Sequence, residues 1–124
     1  MRLVGLFTLV LATVLLPSCA EDLLGLGLGV CELDGVCMKF SEGVSNAEAT
    51  AGCTALKSNF NSGSSSFSGL ANASCPTANS VGTCSYTNVS STSGTATYYS
   101  TTFNATSAQT SCTNVLSGTF TSAR

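Results

Sequence analysis

Apolar positions along the chain fall into two unlike patterns. Residues 3–16 (LVGLFTLVLATVLL) make one nearly continuous apolar run behind the positive charge of Arg2. The run is shorter than the roughly 20 residues that cross a bilayer and has the length of the apolar centre of an export signal. From residue 31 onward, large apolar side chains come singly or in pairs among Ser, Thr, Asn, Gly and Ala. The expected core is Val36, Met38, Phe40, Val44, Leu56, Phe60, Val81, Tyr86, Val89, Tyr98, Tyr99, Phe103, Val115, Leu116 and Phe120. At roughly 1.5 to 3 kcal/mol per buried large side chain, so sparse a set competes poorly with roughly 1 to 2 kcal/mol of backbone entropy per ordered residue. Covalent staples are therefore expected.

Local signals place the elements. Ser45 and Asn104 are good helix N-caps, and Ser45 with Glu48 has the pattern of a capping box. A short helix is predicted after each cap, ending near Cys53 and near Cys112. Four-residue spacing puts Ala49 beneath Cys53 and Ala108 beneath Cys112, small residues that let a helix lie close to a strand. Residues 84–89 and 95–103 are rich in β-formers and predict a hairpin with its turn at residues 90–94. Residues 38–40 predict a single strand with no second strand beside it. The Ser/Gly/Asn-rich stretch 58–74 reads as loop or linker. Tyr98 and Tyr99 alternate across a strand, so one of them can face solvent among Thr and Ser side chains, a composition suited to recognition, although plain strand packing is the favoured reading of the pair.

Beyond Cys19 the cysteines are Cys31, Cys37, Cys53, Cys75, Cys84 and Cys112. An even number in an exported chain predicts three disulfides. Gly35-Val36-Cys37 matches Gly82-Thr83-Cys84, while Ser45, Ala49, Cys53 and Thr54 match Asn104, Ala108, Cys112 and Thr113. The fold class expected is a small disulfide-rich α+β domain of two degenerate units, each a short strand or hairpin with a short helix. Six cysteines allow many pairings. The one preferred joins strand to helix within each unit, Cys37 with Cys53 and Cys84 with Cys112, and leaves Cys31 with Cys75 to link the units. The chain then divides into residues 1–18 (signal), 19–30 (modified N-terminus and tether), 31–62 (first unit), 63–74 (linker) and 75–124 (second unit).

Charge and composition narrow the chemistry. The 124 residues include four Lys and Arg, six Asp and Glu and no His, for a net charge of −2. No basic footprint exists, so no nucleic-acid partner is expected. Without His, Ser-His-Asp and Cys-His catalysis are excluded, and no catalytic residue is assigned. The spacings Cys31 to Cys37 and Cys75 to Cys84 do not fit a zinc knuckle, so neither metal nor cofactor is expected. Gly25, Gly27 and Gly29 lack the preceding strand and the lysine of a phosphate loop. Glu32 and Asp34 are close enough in sequence to suggest a carboxylate pair or a cation site, but Asp34-Gly35 reads as turn chemistry and both charges as solvated.

The apolar run ends in Leu16-Pro17-Ser18-Cys19, which resembles the lipobox of bacterial lipoprotein precursors. That resemblance implies cleavage between Ser18 and Cys19 and a lipid on the Cys19 sulfur, where a thiolate suits thioether formation. Cys75-Pro76, residues 81–86, Tyr98-Tyr99-Ser100, residues 108–112 and Gly118-Thr119-Phe120 resemble small cysteine-rich lipoproteins of bacteria such as spirochaetes and myxobacteria, with a weaker echo at residues 35–62. The resemblance implies location more than activity, a membrane-anchored lipoprotein of the cell envelope; with the chemistry excluded above, a non-catalytic protein is expected, at the outer rather than the inner membrane. Its role would be interaction, adhesion or envelope structure, with the membrane and a protein or matrix ligand as partners. The alternative is a secreted disulfide-scaffold binder or inhibitor cleaved after Ala20.

Overall fold

A computed structural model describes residues 29–41, 43–69 and 73–123. Two helices lie on one face of a six-stranded antiparallel sheet, and three disulfides fasten the layers. The strands are β1 (Val30–Leu33), β2 (Val36–Phe40), β3 (Ser65–Ser68), β4 (Ser80–Val89), β5 (Thr92–Tyr99) and β6 (Thr119–Ser122); the helices are α1 (Asn46–Asn59) and α2 (Ala105–Leu116). In space the strands run β3-β1-β2-β5-β4-β6. The small disulfide-rich α+β class expected from the sequence is the class observed.

Both helix starts follow from their caps. Ser45 Oγ accepts the Glu48 amide at 3.2 Å while Glu48 Oε2 accepts the Ser45 amide at 3.1 Å. Asn104 Oδ1 and Ser107 Oγ exchange the corresponding pair of bonds at 2.8 and 3.0 Å. Each reciprocal pair satisfies two amides that the helix itself leaves open. α1 continues past Cys53 to Asn59, beyond the end expected near that cysteine. Ala49, Gly52, Cys53 and Leu56 face the sheet from α1, and Ala108, Cys112 and Leu116 face it from α2.

One row of side chains crosses the whole sheet beneath the helices: Phe67, Cys31, Met38, Ala96, Cys84, Phe120. Read from either edge it gives Phe, Cys, then a core residue. The two halves share an order as well, strand-strand-helix-strand, meeting at Met38 and Ala96. The likeness extends to contacts. A Cβ at Gly29 would lie 2.5 Å from the Phe67 ring, and one at Gly82 would lie 2.3 Å from the Phe120 ring. Phe40 and Phe67 have ring centres 6.0 Å apart, and Tyr98 and Phe120, at the matching positions, 6.3 Å.

The observed disulfides are Cys31–Cys53, Cys37–Cys75 and Cys84–Cys112. Strand-to-helix bridging within each half is as expected, and Cys84–Cys112 is the pair expected. The other two are corrected: Cys53 takes Cys31 instead of Cys37, and Cys75 takes Cys37 instead of Cys31. The physical reason is strand alternation. Cys31 points to the helix side, in the row with Met38 and Cys84, whereas Cys37 is in the neighbouring register position and points to the opposite side. The first half also has the second strand that was not expected, because β1 pairs with β2 through the two-residue turn Asp34-Gly35. Gly35 takes φ 75 there, a conformation glycine adopts without strain. β3 forms within the stretch read as linker. The β4–β5 turn is shorter than expected, Ser90-Ser91, both at positive φ, and β5 begins at Thr92.

The core gathers between sheet and helices. Tyr98, Met38, Leu56, Leu116 and Val36 are the largest fully buried side chains, and Tyr98 meets Phe103 edge-on at 4.9 Å. Tyr99 is not among them. It lies on the other face of β5, half-buried, as the alternation with Tyr98 requires.

Candidate functional site

Ser18 and Cys19, and the residues expected to form the signal and tether as far as residue 28, lie outside the described residues. The six other cysteines are all in disulfides, so none offers a thiolate. Among the described residues no three of His, Cys, Asp and Glu come together as metal ligands. The two acidic residues of β1 and its turn do not form a pair. Glu32 stands on the sheet, while Asp34 turns away to hold residues 62–64.

Asp34 is a latch. Its carboxylate accepts the Gly63 amide at 2.8 Å and the Ser64 hydroxyl at 3.0 Å, and its own amide donates to Ser62 Oγ at 3.0 Å. The Gly63 N–H, then the Ser64 hydroxyl, hold its carboxyl below the ordinary carboxylate range. A lowered pKa in the folded state means a stabilising contribution that is complete above the unfolded carboxylate value and is lost as pH falls through the folded one. Asp34→Asn should therefore lower the melting temperature at neutral pH, and the gap from the wild type should close in acid as the lowered Asp34 carboxyl becomes protonated. Thermal melts of both chains across that range test it. A gap that stays constant into acid would mean the carboxylate charge does not matter.

The surfaces of the helices offer little chemistry. Hollows of about 520 and 580 Å³ lie on the outer sides of α2 and α1, lined by residues such as Thr106, Thr110 and Asn114 in one and Ala47, Ala51 and Ala55 in the other. Burial raises the pKa of Tyr86 and Tyr98, which keeps both phenols neutral donors. Tyr98 donates to Ser111 Oγ at 3.3 Å, an internal bond between β5 and α2.

The sheet's other face, away from the helices, is more distinctive. Two rows cross it. One runs Ser66, Glu32, Cys37, Thr97, Thr83, Thr121, and the other Ser68, Val30, Lys39, Thr95, Ser85, Thr119. A strap, residues 73–79, lies over the middle of this face. It is fixed by the Cys37–Cys75 disulfide, by Lys39 Nζ donating to the Ala73 carbonyl at 2.6 Å, and by Tyr99 Oη donating to the Pro76 carbonyl at 2.7 Å. Burial first, and then the Glu32 carboxylate, push the Tyr99 phenol up.

Beyond the strap, β5, β4 and β6 present six hydroxyls in two rows of three: Thr97, Thr83, Thr121 and Thr95, Ser85, Thr119. Neighbours across strands are about 4.8 Å apart and neighbours along a strand about 6.7 Å. Among the described residues, none of these hydroxyls bonds to another part of the chain, and Ser85, Thr95, Thr119 and Thr121 are exposed. From residue 58 to residue 123 there is no charged side chain. This grid was legible in one signal: hydroxyl residues flank a buried or half-buried one in Thr83-Cys84-Ser85, Thr95-Ala96-Thr97 and Thr119-Phe120-Thr121. The expectation for Tyr98 and Tyr99 found its edge, since Tyr98 is inside and Tyr99 stands beside Thr97.

Among the described residues no helix is long and apolar enough to cross a membrane. The chain matches no protein-family model, and no curated protein and no solved structure matches it.

Proposed function

We propose that this protein is a lipid-anchored, non-catalytic interaction module of a bacterial cell envelope, held to the membrane through Cys19 and presenting its strapped sheet face outward. The observation that carries the reading is cysteine use. Of seven cysteines, six are consumed in three disulfides, and the one left over is Cys19, at the end of the apolar run in Leu16-Pro17-Ser18-Cys19. Disulfides belong to an oxidising compartment, which a chain reaches by export. Each acyl methylene buried in the bilayer adds about 0.8 kcal/mol, and two or three chains make the attachment durable. A non-catalytic role is supported by the lack of His and, among the described residues, by acidic groups that stand apart, Glu32 on the sheet, Asp34 in its turn and Glu48 in the cap of α1.

The test is Cys19→Ala with membrane fractionation, joined to mass spectrometry of the mature N-terminus. The expected result is wild-type protein in the membrane fraction with a diacylglyceryl mass on Cys19, and variant protein released from it. Unchanged partitioning, or a free Glu21 amine on the exported product, overturns the anchor and favours a secreted disulfide scaffold.

A further inference from the structure

We propose that the six-hydroxyl grid on β5, β4 and β6 is a docking surface for an uncharged polysaccharide. The inference rests on the interaction-module reading and names its partner. The first argument comes from comparing the two halves of the molecule. Superposing their strand registers puts Thr83, Thr95 and Thr97 at the places of Val30, Cys37 and Lys39. In the first half, Cys37 and Lys39 are tied to the strap. In the second half the same places carry hydroxyls and no strap, and they are more open, Thr95 exposed and Thr83 and Thr97 half-buried. Val30 is 4% and Cys37 2% exposed, whereas Thr95 is exposed.

The second argument is charge. A partner bearing carboxylates, phosphates or ammonium groups would lose hydration on the grid, which carries no charge of its own; the charged side chains beside it on this face, Glu32 and Lys39, belong to the first half, where Lys39 is bonded to the strap. A neutral polyol loses less. Thr and Ser hydroxyls each donate once and accept twice, so they replace the water on a sugar hydroxyl in either sense. The sheet spaces them regularly over three strands, and the disulfide-fastened body holds that spacing without ordering cost on binding. Tyr99 adds a half-buried ring at one end of the grid, fixed by its bond to Pro76, where the apolar side of a sugar can rest.

Depletion binding to microcrystalline cellulose and to chitin, with alginate as an anionic comparison, tests the assignment on the exported protein extracted in detergent. The expected result is binding to at least one neutral polymer that changes less than two-fold between low salt and 1 M NaCl. Thr83→Val with Thr97→Val and Thr121→Val should weaken it at least ten-fold, the corresponding triple serine variant should retain it, and Thr106→Val with Thr110→Val on α2 should leave it unaltered. An unchanged disulfide map and melting temperature confirm that each variant is folded. Binding to neither neutral polymer, preference for alginate, or valine variants that bind like the wild type would overturn the proposal. Cys19→Ala protein must bind like the wild type, so loss of the anchor and loss of polysaccharide binding are read separately.

Discussion

Gly94→Ala should destabilise the fold by about 3 kcal/mol or more, among the largest effects of any single methyl group in this chain. Gly94 pairs with Phe40 where β5 meets β2, the seam that joins the two halves of the sheet among the described residues. A Cβ there would lie 2.0 Å from the Lys39 carbonyl oxygen and 3.0 Å from Phe40 Cα. Both are backbone atoms of a central strand, so no side chain can rotate away. Relief requires β2 and β5 to separate, which breaks ladder hydrogen bonds and disturbs the buried row through Met38 and Ala96. The measurement is the urea midpoint, with an unchanged m-value expected. Thr95→Ala, one residue along and exposed, should change stability by no more than about 1 kcal/mol. If Gly94→Ala unfolds with the wild type, the Phe40–Gly94 register is wrong and the two halves do not form one sheet.

Gly94 also illustrates what the sequence could not convey. Between Ser93 and Thr95 it reads as a turn residue, because turn chemistry is local and close approach of a distant strand is not. The turn actually falls at Ser90-Ser91, where two serines take positive φ without the Asn or Gly that usually announces it. The first hairpin was hidden for a related reason. Val30 and Cys31 are both buried, as are Cys37 and Met38, so the apolar-polar alternation that marks a half-exposed strand is missing. One face is closed by the helices, and at Cys37 the other is closed by the strap. β3 gives almost no signal, since Ser65–Ser68 holds one large apolar residue, Phe67, whose partner Phe40 is far away in sequence. The helices were legible because caps act within four residues, and Ala49 and Ala108 kept their expected places beneath the bridged cysteines. Cys37 was paired wrongly because a three-residue likeness set it beside Cys84. The sheet row sets Cys31 there. For the candidate site, the Thr-x-Thr spacing was present in the sequence, but which strands stood side by side was not. Six hydroxyls become one surface only through the order β5-β4-β6.

Removing Cys84–Cys112 with paired alanines should cost about 3 to 4 kcal/mol, from a closed loop of 28 residues. That loss is comparable to everything else that holds α2. The helix buries only Ala108, Cys112 and Leu116, and one fully buried Leu is worth about 1.5 to 3 kcal/mol. Both sulfurs are fully buried, and a Cβ at Gly118 would lie 2.5 Å from Cys84 Sγ, so the turn leaving α2 is itself built on the bridge. Urea unfolding measures the loss, and amide hydrogen exchange locates it: α2 should lose protection while α1 retains it. The pair Cys37→Ala and Cys75→Ala gives the contrast. Its loop of 38 residues makes the unfolded-state effect at least as large, yet the native consequence differs, because this bridge holds the strap to the open face. Both helices should stay protected while residues 73–79 exchange freely. Loss of helix protection in that second variant, or undiminished stability in the first, would mean that the layers are not fastened as the pairing Cys31–Cys53, Cys37–Cys75 and Cys84–Cys112 requires.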